Sequence, residues 1–269
     1  MPETDAYPEI ERELRFFPAN TKDLNKLDKD EIQQFNDNGF ICPLDVFDPS
    51  ETNANRETFN LLMAEAANKG GDSYSINGWH RTHAAVHDIV TDKRIVNYVQ
   101  DIIGENVICW GTHYFCKMPN DDKRVSWHQD ASYWPLTPSK TVTVWLAIDD
   151  ADAENGAMQV VPGSHLHRQI AYEPSKKKEA NVLNQTALNP LNYGDPPVVL
   201  KMHAGQMSLH TDLLLHGSEP NRSHRRRCGF TIRYVPAEVR ALNGWNGNAV
   251  VCRGEDSSGH WEHSPRPNN

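Results

Sequence analysis

Apolar residues recur at helical spacing through the first third of the chain. In residues 27–40, Asp28 can cap a helix, Glu31 stands three positions further on, an apolar stripe follows and Gly39 can end the helix. Two further segments show the same spacing ahead of a glycine, residues 59–66 and residues 91–103. The pattern predicts three helices before residue 105.

From Asn106 onward the periodicity becomes that of strands. Short runs rich in β-branched and aromatic residues alternate or are continuously apolar: VICWGTHYFCKMP, TVTVWLAI, VVLKMHAG, GQMSLHTD and CGFTIRYVP. The pair Asn155-Gly156 predicts a hairpin turn that leads into a further strand, AMQVVPGSH. These segments predict an antiparallel sandwich or barrel of about eight strands that carries the N-terminal helices.

The chain length fits one domain with extensions, because 269 residues is within the size of a single hydrophobic core. We expect residues 1–104 to be mostly helical and residues 105–240 to form the β core. Residues 241–269 are rich in Pro, Gly, Ser and Asn and have no periodicity. We therefore expect an irregular segment there, wrapped on the core.

Composition and charge exclude several classes of partner. Apolar residues make up 38% of the chain and the net charge is −9, which indicates a globular protein without a broadly basic surface for nucleic acid or anionic membranes. No apolar stretch reaches the length of a membrane span, and the N-terminus does not read as a signal peptide. Five scattered cysteines without CxxC spacing suit free thiols in the cytoplasm. The sequence does not specify an oligomeric state.

The most specific chemical signal is the segment Trp127-His128-Gln129-Asp130. Residues two apart on a strand point to the same face, so His128 and Asp130 are expected to project together. A second histidine, His216, stands far downstream in a Leu-His-Gly-Ser segment. Two histidines and one carboxylate with open coordination positions are the ligand set of non-heme Fe(II) oxygenases.

A basic run follows His216 and ends at Arg227, eleven residues beyond that histidine. Arg227 ends this run and leads directly into the apolar strand CGFTIRYVP, whereas Arg222, Arg225 and Arg226 are interpreted as a solvated turn. A buried guanidinium is a suitable bidentate partner for a carboxylate near a metal. We therefore expect the Arg227 side chain to be buried in the protein interior.

These residues resemble the phytanoyl-CoA dioxygenase (PhyH) family of Fe(II)- and 2-oxoglutarate-dependent oxygenases. The matching stretches are WHQDASYWPL, TVTVWLAIDDADAENGAMQVVPGSH and LHGSEPNRSHRRRCGFTIRY, which cover residues 125–235 closely. The resemblance implies a mainly β fold, a double-stranded β-helix (cupin-like jelly roll) flanked by N-terminal helices. It also implies a reaction that uses Fe(II), dioxygen and 2-oxoglutarate and releases succinate and carbon dioxide.

The resemblance assigns roles position by position. It implies that the catalytic iron ligands are His128, Asp130 and His216. It implies that 2-oxoglutarate is bound by Arg227 and Ser218 at its distal carboxylate, flanked by Trp145, with further contacts from Gln129 and His113. For His113 a buried core histidine is an equal alternative.

Three other histidines are interpreted as structural. His210 lies six residues before His216 but lacks the family motif, so we interpret His216, and not His210, as the metal ligand. His165 and His167 have the two-residue spacing of a ligand pair, but they follow a turn that the family places in a loop. The carboxylate of Asp130 favours hydroxylation, because halogenating relatives have Ala or Gly at this position.

The substrate contacts are predicted from a polar cluster that is expected near the metal. We expect the substrate to be held by Asn77, Trp79, His80, Arg81, His83, Tyr133, Trp134 and Arg233. Donors and cations in this set, rather than a run of apolar side chains, predict a small polar anion such as an amino acid or an aminophosphonate. An ordinary polar loop at residues 77–83 is the alternative for that segment. A non-catalytic cupin-like protein that binds metal or ligand is the alternative for the whole chain.

Overall fold

Four α-helices lie ahead of residue 105 in the computed structural model, which describes residue 7, residues 9–175 and residues 180–268. Their bounds are α1 (Lys29–Asn38), α2 (Pro49–Asn68), α3 (Ala84–Val90) and α4 (Lys93–Ile103). Asp28 and Glu31 form the capping box of α1, and Gly39 ends that helix in the left-handed conformation. The pattern predicted three of these helices, and α3 is an addition.

Ten strands form two antiparallel sheets. The main sheet has the spatial order β1 (Phe40–Asp45), β10 (Gln206–Thr211), β5 (Val142–Ala147), β12 (Arg227–Pro236), β2 (Val107–Lys117) and β14 (Val250–Arg253). The second sheet has the order β3 (Val125–His128), β11 (His216–Ser218), β6 (Met158–Val160) and β9 (Val198–Val199). Two short pairs accompany them, β4 (Leu136–Thr137) with β13 (Arg240–Ala241) and β7 (Tyr172–Pro174) with β8 (Gln185–Ala187).

Three features of the strands differ from the sequence-based expectation. Strand β1 lies in the helical first third yet forms an edge of the main sheet, and β14 lies in the segment expected to be irregular yet pairs with β2. The predicted hairpin at Asn155-Gly156 is wrong, because β5 belongs to the main sheet and β6 to the second sheet. Gly156 does adopt a left-handed turn conformation. The turn at Asn155-Gly156 therefore connects a strand of one sheet to a strand of the other, and these two strands do not pair with each other.

The two faces of the main sheet have different partners. Ile32, Phe59 and Ile95 of three helices pack against one face, in the same core as Leu146 and Phe230. On the other face, Trp145 and Ala147 pack against Met158 and Val160 of the second sheet. The jelly-roll core with flanking N-terminal helices is thereby confirmed. Among the described residues, no helix has both the length and the apolar character needed to cross a bilayer.

Strand alternation decides which side chains of β12 face the second sheet. Phe230 and Ile232 are in the helix-facing core, whereas Arg227, Thr231 and Arg233 line a cavity between the sheets. Gly229 shares that inner face, and a Cβ there would lie only 1.9 Å from the Trp145 ring. The absence of a side chain at Gly229 is what allows Trp145 to lie flat against the strand.

His165 is buried against α1 and has a structural role, as the sequence predicted. Its side chain is fully buried, and its Nε2 donates a hydrogen bond to the backbone oxygen of Asn36 at 3.1 Å. The edge of this imidazole meets the ring of Phe16, with centroids 4.4 Å apart. Burial lowers the pKa of His165 to about 4.

We expect this histidine to make the fold sensitive to acid. Its pKa is lower in the folded protein than in the unfolded chain, so the unfolded chain binds a proton first as the pH falls below about 6.5. Between pH 7 and pH 4.5 the wild type should therefore lose roughly 2–3 kcal/mol more unfolding free energy than His165→Asn. Urea denaturation at both pH values measures the difference. His167→Asn is the control, since His167 is exposed. Parallel losses in wild type and His165→Asn would contradict the prediction.

Candidate metal centre and active site

Three side chains that could hold a metal ion meet at the second sheet. The Nε2 atom of His128 lies 3.7 Å from Oδ1 of Asp130, and the Nε2 atom of His216 lies 3.9 Å from the same oxygen. One ligand atom from each residue lies within 4.8 Å of the others. The structure thus brings together the three residues that the sequence suggested as ligands.

The fold builds this cluster from two paired strands and a turn. His128 ends β3, His216 begins β11, and the two are direct partners in the antiparallel pair. Asp130 is not on the strand, because the chain leaves β3 after His128 and Asp130 opens a 3-10 turn, Asp130–Ser132. The carboxylate reaches the histidines through this turn and not through strand alternation.

Backbone hydrogen bonds orient both imidazoles. Nδ1 of His128 donates to the backbone oxygen of Ser126 at 2.8 Å, and Nδ1 of His216 donates to that of Leu214 at 2.9 Å. Each ring then has its proton on Nδ1 and a lone pair on Nε2, the atom that faces Asp130. Two Nε2 atoms and one carboxylate oxygen fit Fe(II).

The charge states of the cluster suit metal binding. Burial opposes ionisation of Asp130, but the adjacent imidazoles of His128, His210 and His216 outweigh it and hold the pKa of Asp130 well below its usual range. Burial, together with the neighbouring His128, holds the pKa of His216 well below its usual range despite the charge of Asp130. The cluster therefore offers an ionised carboxylate and a neutral imidazole at His216, which are the forms that ligate metals.

The cluster lies in the wall of a cavity of about 530 Å³. At one end of this cavity is Arg227, whose side chain is buried and stands over the Trp145 ring at 5.5 Å. Its Nη1 reaches only the backbone oxygen of Phe115, at 3.5 Å, and its Nε has no hydrogen-bond partner among the described residues. A buried guanidinium without an acidic partner is suited to bind an anion, since burial of an uncompensated charge is costly.

Ser218 stands at the same end, held by a buried lysine. Nζ of Lys117 donates to Oγ of Ser218 at 2.7 Å and to the backbone oxygen of Glu219. Because Oγ accepts this bond, the Ser218 hydroxyl proton is free to donate to a ligand carboxylate. Burial, with a further effect from Arg227, lowers the pKa of Lys117 to about 6.

A second arginine, Arg233, marks the other end of the cavity. It lies six residues along β12 from Arg227, on the same inner face, so the two Cα atoms are about 20 Å apart. Its guanidinium stands over the rings of Trp110 and Trp134, at 5.6 Å and 5.0 Å. Its Nε lacks a hydrogen-bond partner within the described part of the chain. The cavity therefore has a buried cation, Arg227, at one end, a half-buried cation, Arg233, at the other, and the His-Asp-His cluster beside them.

The sequence model of the phytanoyl-CoA dioxygenase (PhyH) family matches residues 35–229, well over half of the chain. The chain belongs to this family. The resemblance predicted from the motifs is thereby confirmed.

Curated relatives of this PhyH family member include two that match somewhat more than half of it. A probable alpha-ketoglutarate-dependent hypophosphite dioxygenase of Stutzerimonas stutzeri is 29% identical over 170 residues, 61% of this chain and 58% of the relative. The peroxisomal phytanoyl-CoA dioxygenase of Rattus norvegicus is 27% identical over 154 residues, 56% of this chain and 46% of the relative. The chain thus spans about half the length of the curated relatives that it matches.

Solved structures of non-heme iron proteins share the fold. The apo form of the non-heme monooxygenase ThoJ superposes with a TM-score of 0.75 at 25% identity and covers 88% of both chains. EctD from S. alaskensis with bound Fe superposes with a TM-score of 0.72 at 18% identity and covers 87% of both chains. CytC3 with Fe(II) and alpha-ketoglutarate gives a TM-score of 0.65 at 21% identity, over 88% of this chain and 92% of that one.

Gln129 does not line the cavity of this PhyH protein, contrary to the expected 2-oxoglutarate contact. Its Nε2 donates to the backbone oxygens of Arg168 and Leu213 at 2.8 and 2.6 Å, and its Oε1 accepts from the Ile170 backbone at 2.7 Å. These bonds occupy the amide, so Gln129 holds three chain segments together. His113 does line the cavity, where its Nε2 donates to the Tyr74 backbone oxygen at 2.7 Å.

Residues 77–83 divide between the cavity and the helices. Asn77, His80 and Arg81 line the cavity, as do Tyr133 and Trp134. The segment is tied to β2, because the Gly78 backbone N–H donates to the oxygen of Thr112 at 2.8 Å.

Trp79 and His83 point away from the cavity and correct the predicted set. Their rings stack with centroids 4.7 Å apart, and Nε2 of His83 lies 3.0 Å from a carboxylate oxygen of Glu65 on α2. They therefore attach the segment to that helix.

Sequence reasoning missed several residues near the cavity. Lys117 was passed over, although an isolated lysine at the end of the apolar strand VICWGTHYFCK was a usable signal, and it is the direct strand partner of Arg227.

Trp110 and Trp245 also line the cavity, from a strand and from the segment expected to be irregular. His210, judged a spare histidine, lies on the cavity wall 3.9 Å from Asp130. Only the pairing of distant strands reveals these positions.

Proposed function

We propose that this protein is a single-domain Fe(II)- and 2-oxoglutarate-dependent dioxygenase that hydroxylates a small anionic molecule. The observation that carries the proposal is the cluster of His128, Asp130 and His216 in one cavity with the unpaired guanidinium of Arg227. A metal-binding protein without catalysis has no need for a second, buried anion site beside its metal. Membership of the PhyH family and the names of the relatives support the same reaction class.

Different residues of the chain are placed to bind the metal, the co-substrate and the substrate. Fe(II) bound at the cluster would supply a centre for the reduction of dioxygen, with two electrons from oxidative decarboxylation of 2-oxoglutarate to succinate and carbon dioxide and two from hydroxylation of the substrate. Arg227 and the Ser218 hydroxyl are placed to hold the distal carboxylate of 2-oxoglutarate, and Trp145 bounds that end of the cavity. The retained carboxylate of Asp130 occupies the position that halogenating enzymes leave to a halide, which favours hydroxylation.

The substrate is proposed to bind toward Arg233. With Arg227 assigned to 2-oxoglutarate, half-buried Arg233 is better shielded from solvent than exposed Arg81, the other arginine that lines the cavity, and the tryptophans beside it would limit access of water to the ion pair. Exposed Arg81 lies at the cavity too, where its Nε donates to the backbone oxygen of Gly78 at 2.9 Å. The name of the Stutzerimonas relative, a hypophosphite dioxygenase, supports an anion. Amino acids, phosphonates and small carboxylates all fit this description.

Succinate formation tests the function. The protein is loaded anaerobically with Fe(II), supplied with 2-oxoglutarate and oxygen, and given hypophosphite, phosphonates, amino acids and small carboxylates in turn. Substrate-dependent succinate with at least one small anion is the expected result. Turnover of long-chain acyl thioesters alone would contradict the anionic substrate. Binding of Fe(II) and 2-oxoglutarate without succinate from any compound would indicate the non-catalytic cupin-like protein.

Arg233→Gln is expected to weaken substrate binding selectively. Loss of a buried charge partner costs roughly 2–5 kcal/mol, so the KM for the anionic substrate should rise by at least about 30-fold. The KM for 2-oxoglutarate should change little, because Arg227 remains. Arg81→Gln provides the comparison and should have a smaller effect, since Arg81 is exposed. Steady-state kinetics measure both constants. An unchanged substrate KM in Arg233→Gln would refute the assignment.

A further inference from the structure

His210 is a buried histidine whose ring makes no hydrogen bond. Its side chain is 1% exposed, and neither Nδ1 nor Nε2 has a hydrogen-bond partner among the described residues. Buried polar groups are nearly always paired, because leaving one unpaired costs the free energy of removing it from water. An apolar side chain of similar size would avoid that cost. The imidazole therefore calls for a functional explanation.

The two oxygens of Asp130 face different neighbours. Oδ1 faces the Nε2 atoms of His128 and His216, as described above, so it is the oxygen available to a metal. Oδ2 points to the main sheet, where Nε2 of His210 lies 3.9 Å away and Oγ1 of Thr143 donates to it at 3.4 Å. The contacts of His210 and Thr143 with Asp130 are therefore made at the outer oxygen.

The register between strands places the donors near the Asp130 carboxylate next to one another on the inner face of the main sheet. Thr143 on β5 is the direct partner of His210 on β10 and of Arg233 on β12. Three donors thus form a row across three adjacent strands of the inner face, with the hydroxyl in the middle. A rigid sheet holds donors in place better than a loop does.

We propose that His210 is a positioning residue that donates from Nε2 to the outer oxygen of Asp130. The inference rests on the proposed function for its purpose: a carboxylate held at Oδ2 presents only Oδ1 to the metal, which leaves coordination positions for 2-oxoglutarate and dioxygen. The two atoms must approach by about 1 Å to reach ordinary hydrogen-bond length. Catalytic hydrogen bonds are often this long before ligands bind.

The tautomer of His210 tests the proposal on the wild-type protein. Imidazole nitrogen NMR of the full chain loaded with diamagnetic Zn(II) distinguishes protonated from unprotonated ring nitrogens. We expect a proton on Nε2 of His210 and, in contrast, protons on Nδ1 of His128 and His216. An unprotonated Nε2 at His210 would overturn the proposal.

Two substitutions test the same hydrogen bond through metal affinity. His210→Leu removes the donor, and His210→Gln keeps an N–H at a comparable distance from the backbone. Calorimetric titration with Co(II) should give a 10–100-fold weaker affinity for the Leu variant and an affinity near wild type for the Gln variant. His165→Asn, a substitution of a buried histidine outside the cavity, should leave Co(II) affinity unchanged.

Equal Co(II) affinity in wild type and a folded His210→Leu would count against the proposal. If the Leu variant does not fold, the tautomer measurement alone decides. Neither measurement requires turnover, so an enzyme that forms no succinate would refute the proposed function without affecting these two results.

Discussion

Asp130→Ala is expected to lose both metal binding and hydroxylation. Asp130 provides the negative charge of the cluster, and without it two neutral imidazoles must hold a divalent cation. We expect the affinity for Fe(II), or for Co(II) as a stable probe, to fall by more than about 100-fold, because the loss of a ligand exceeds that of an outer-shell partner. Succinate formation should fall below detection. Calorimetry and succinate assays measure the two effects.

Asp212→Asn is a matched control for that substitution. Asp212 is also a buried carboxyl group, but it does not line the cavity and accepts a hydrogen bond from the Ser139 hydroxyl at 2.7 Å. Burial raises the pKa of Asp212 to about 7, so a neutral amide is a mild replacement. Metal affinity should survive in Asp212→Asn. Full hydroxylase activity in Asp130→Ala, with metal bound as in the wild type, would refute the ligand assignment.

Arg227→Gln is expected to raise the 2-oxoglutarate requirement more than any neighbouring substitution. The Arg227 guanidinium is buried and has no carboxylate partner among the described residues, so 2-oxoglutarate would lose a charge partner worth roughly 2–5 kcal/mol, or about 30- to 5,000-fold in apparent KM. Arg225→Gln is the control, since Arg225 is exposed and pairs with Asp152 at 2.7 Å. Titration of 2-oxoglutarate against succinate formation measures both variants. Equal effects would mean that another group binds the distal carboxylate.

The candidate site was partly predictable because its motifs are local. The spacing of His128 and Asp130 and the Leu-His-Gly-Ser segment of His216 are features of short stretches. Of the basic neighbours of Arg227, Arg222 and Arg225 are exposed and pair with carboxylates. The interpretation of Arg226 as solvated is wrong, because Arg226 is half-buried and pairs with the buried carboxylate of Asp149 at 2.7 Å. The inward position of Arg227 was also predictable from its local sequence. Strand alternation was sufficient for this, since a residue at the start of an apolar strand has only two faces to choose from.

The errors arose where a distant segment decides the direction of a side chain. Gln129 has the right sequence position for a ligand contact, but backbone groups some 40 and 84 residues away occupy its amide. Trp79 and His83 lie in a polar segment that seemed uniform, yet Glu65 of α2 takes His83 away from the cavity. Strands β1 and β14 escaped prediction because only pairing with the main sheet distinguishes them from their surroundings.

The sequence by itself determined the fold class, the family and the residues able to bind a metal, because hydrophobic periodicity and short motifs are properties of neighbouring positions. The tertiary structure alone decided that Asp130 reaches the histidines through a turn, that Lys117 holds Ser218, and that His210, Thr143 and Arg233 form one row. These arrangements depend on the register between strands far apart in the chain. The alternation of each strand shows which of its residues face the core, but which distant strands pair and at which positions is decided only when the two sheets and the helices pack together.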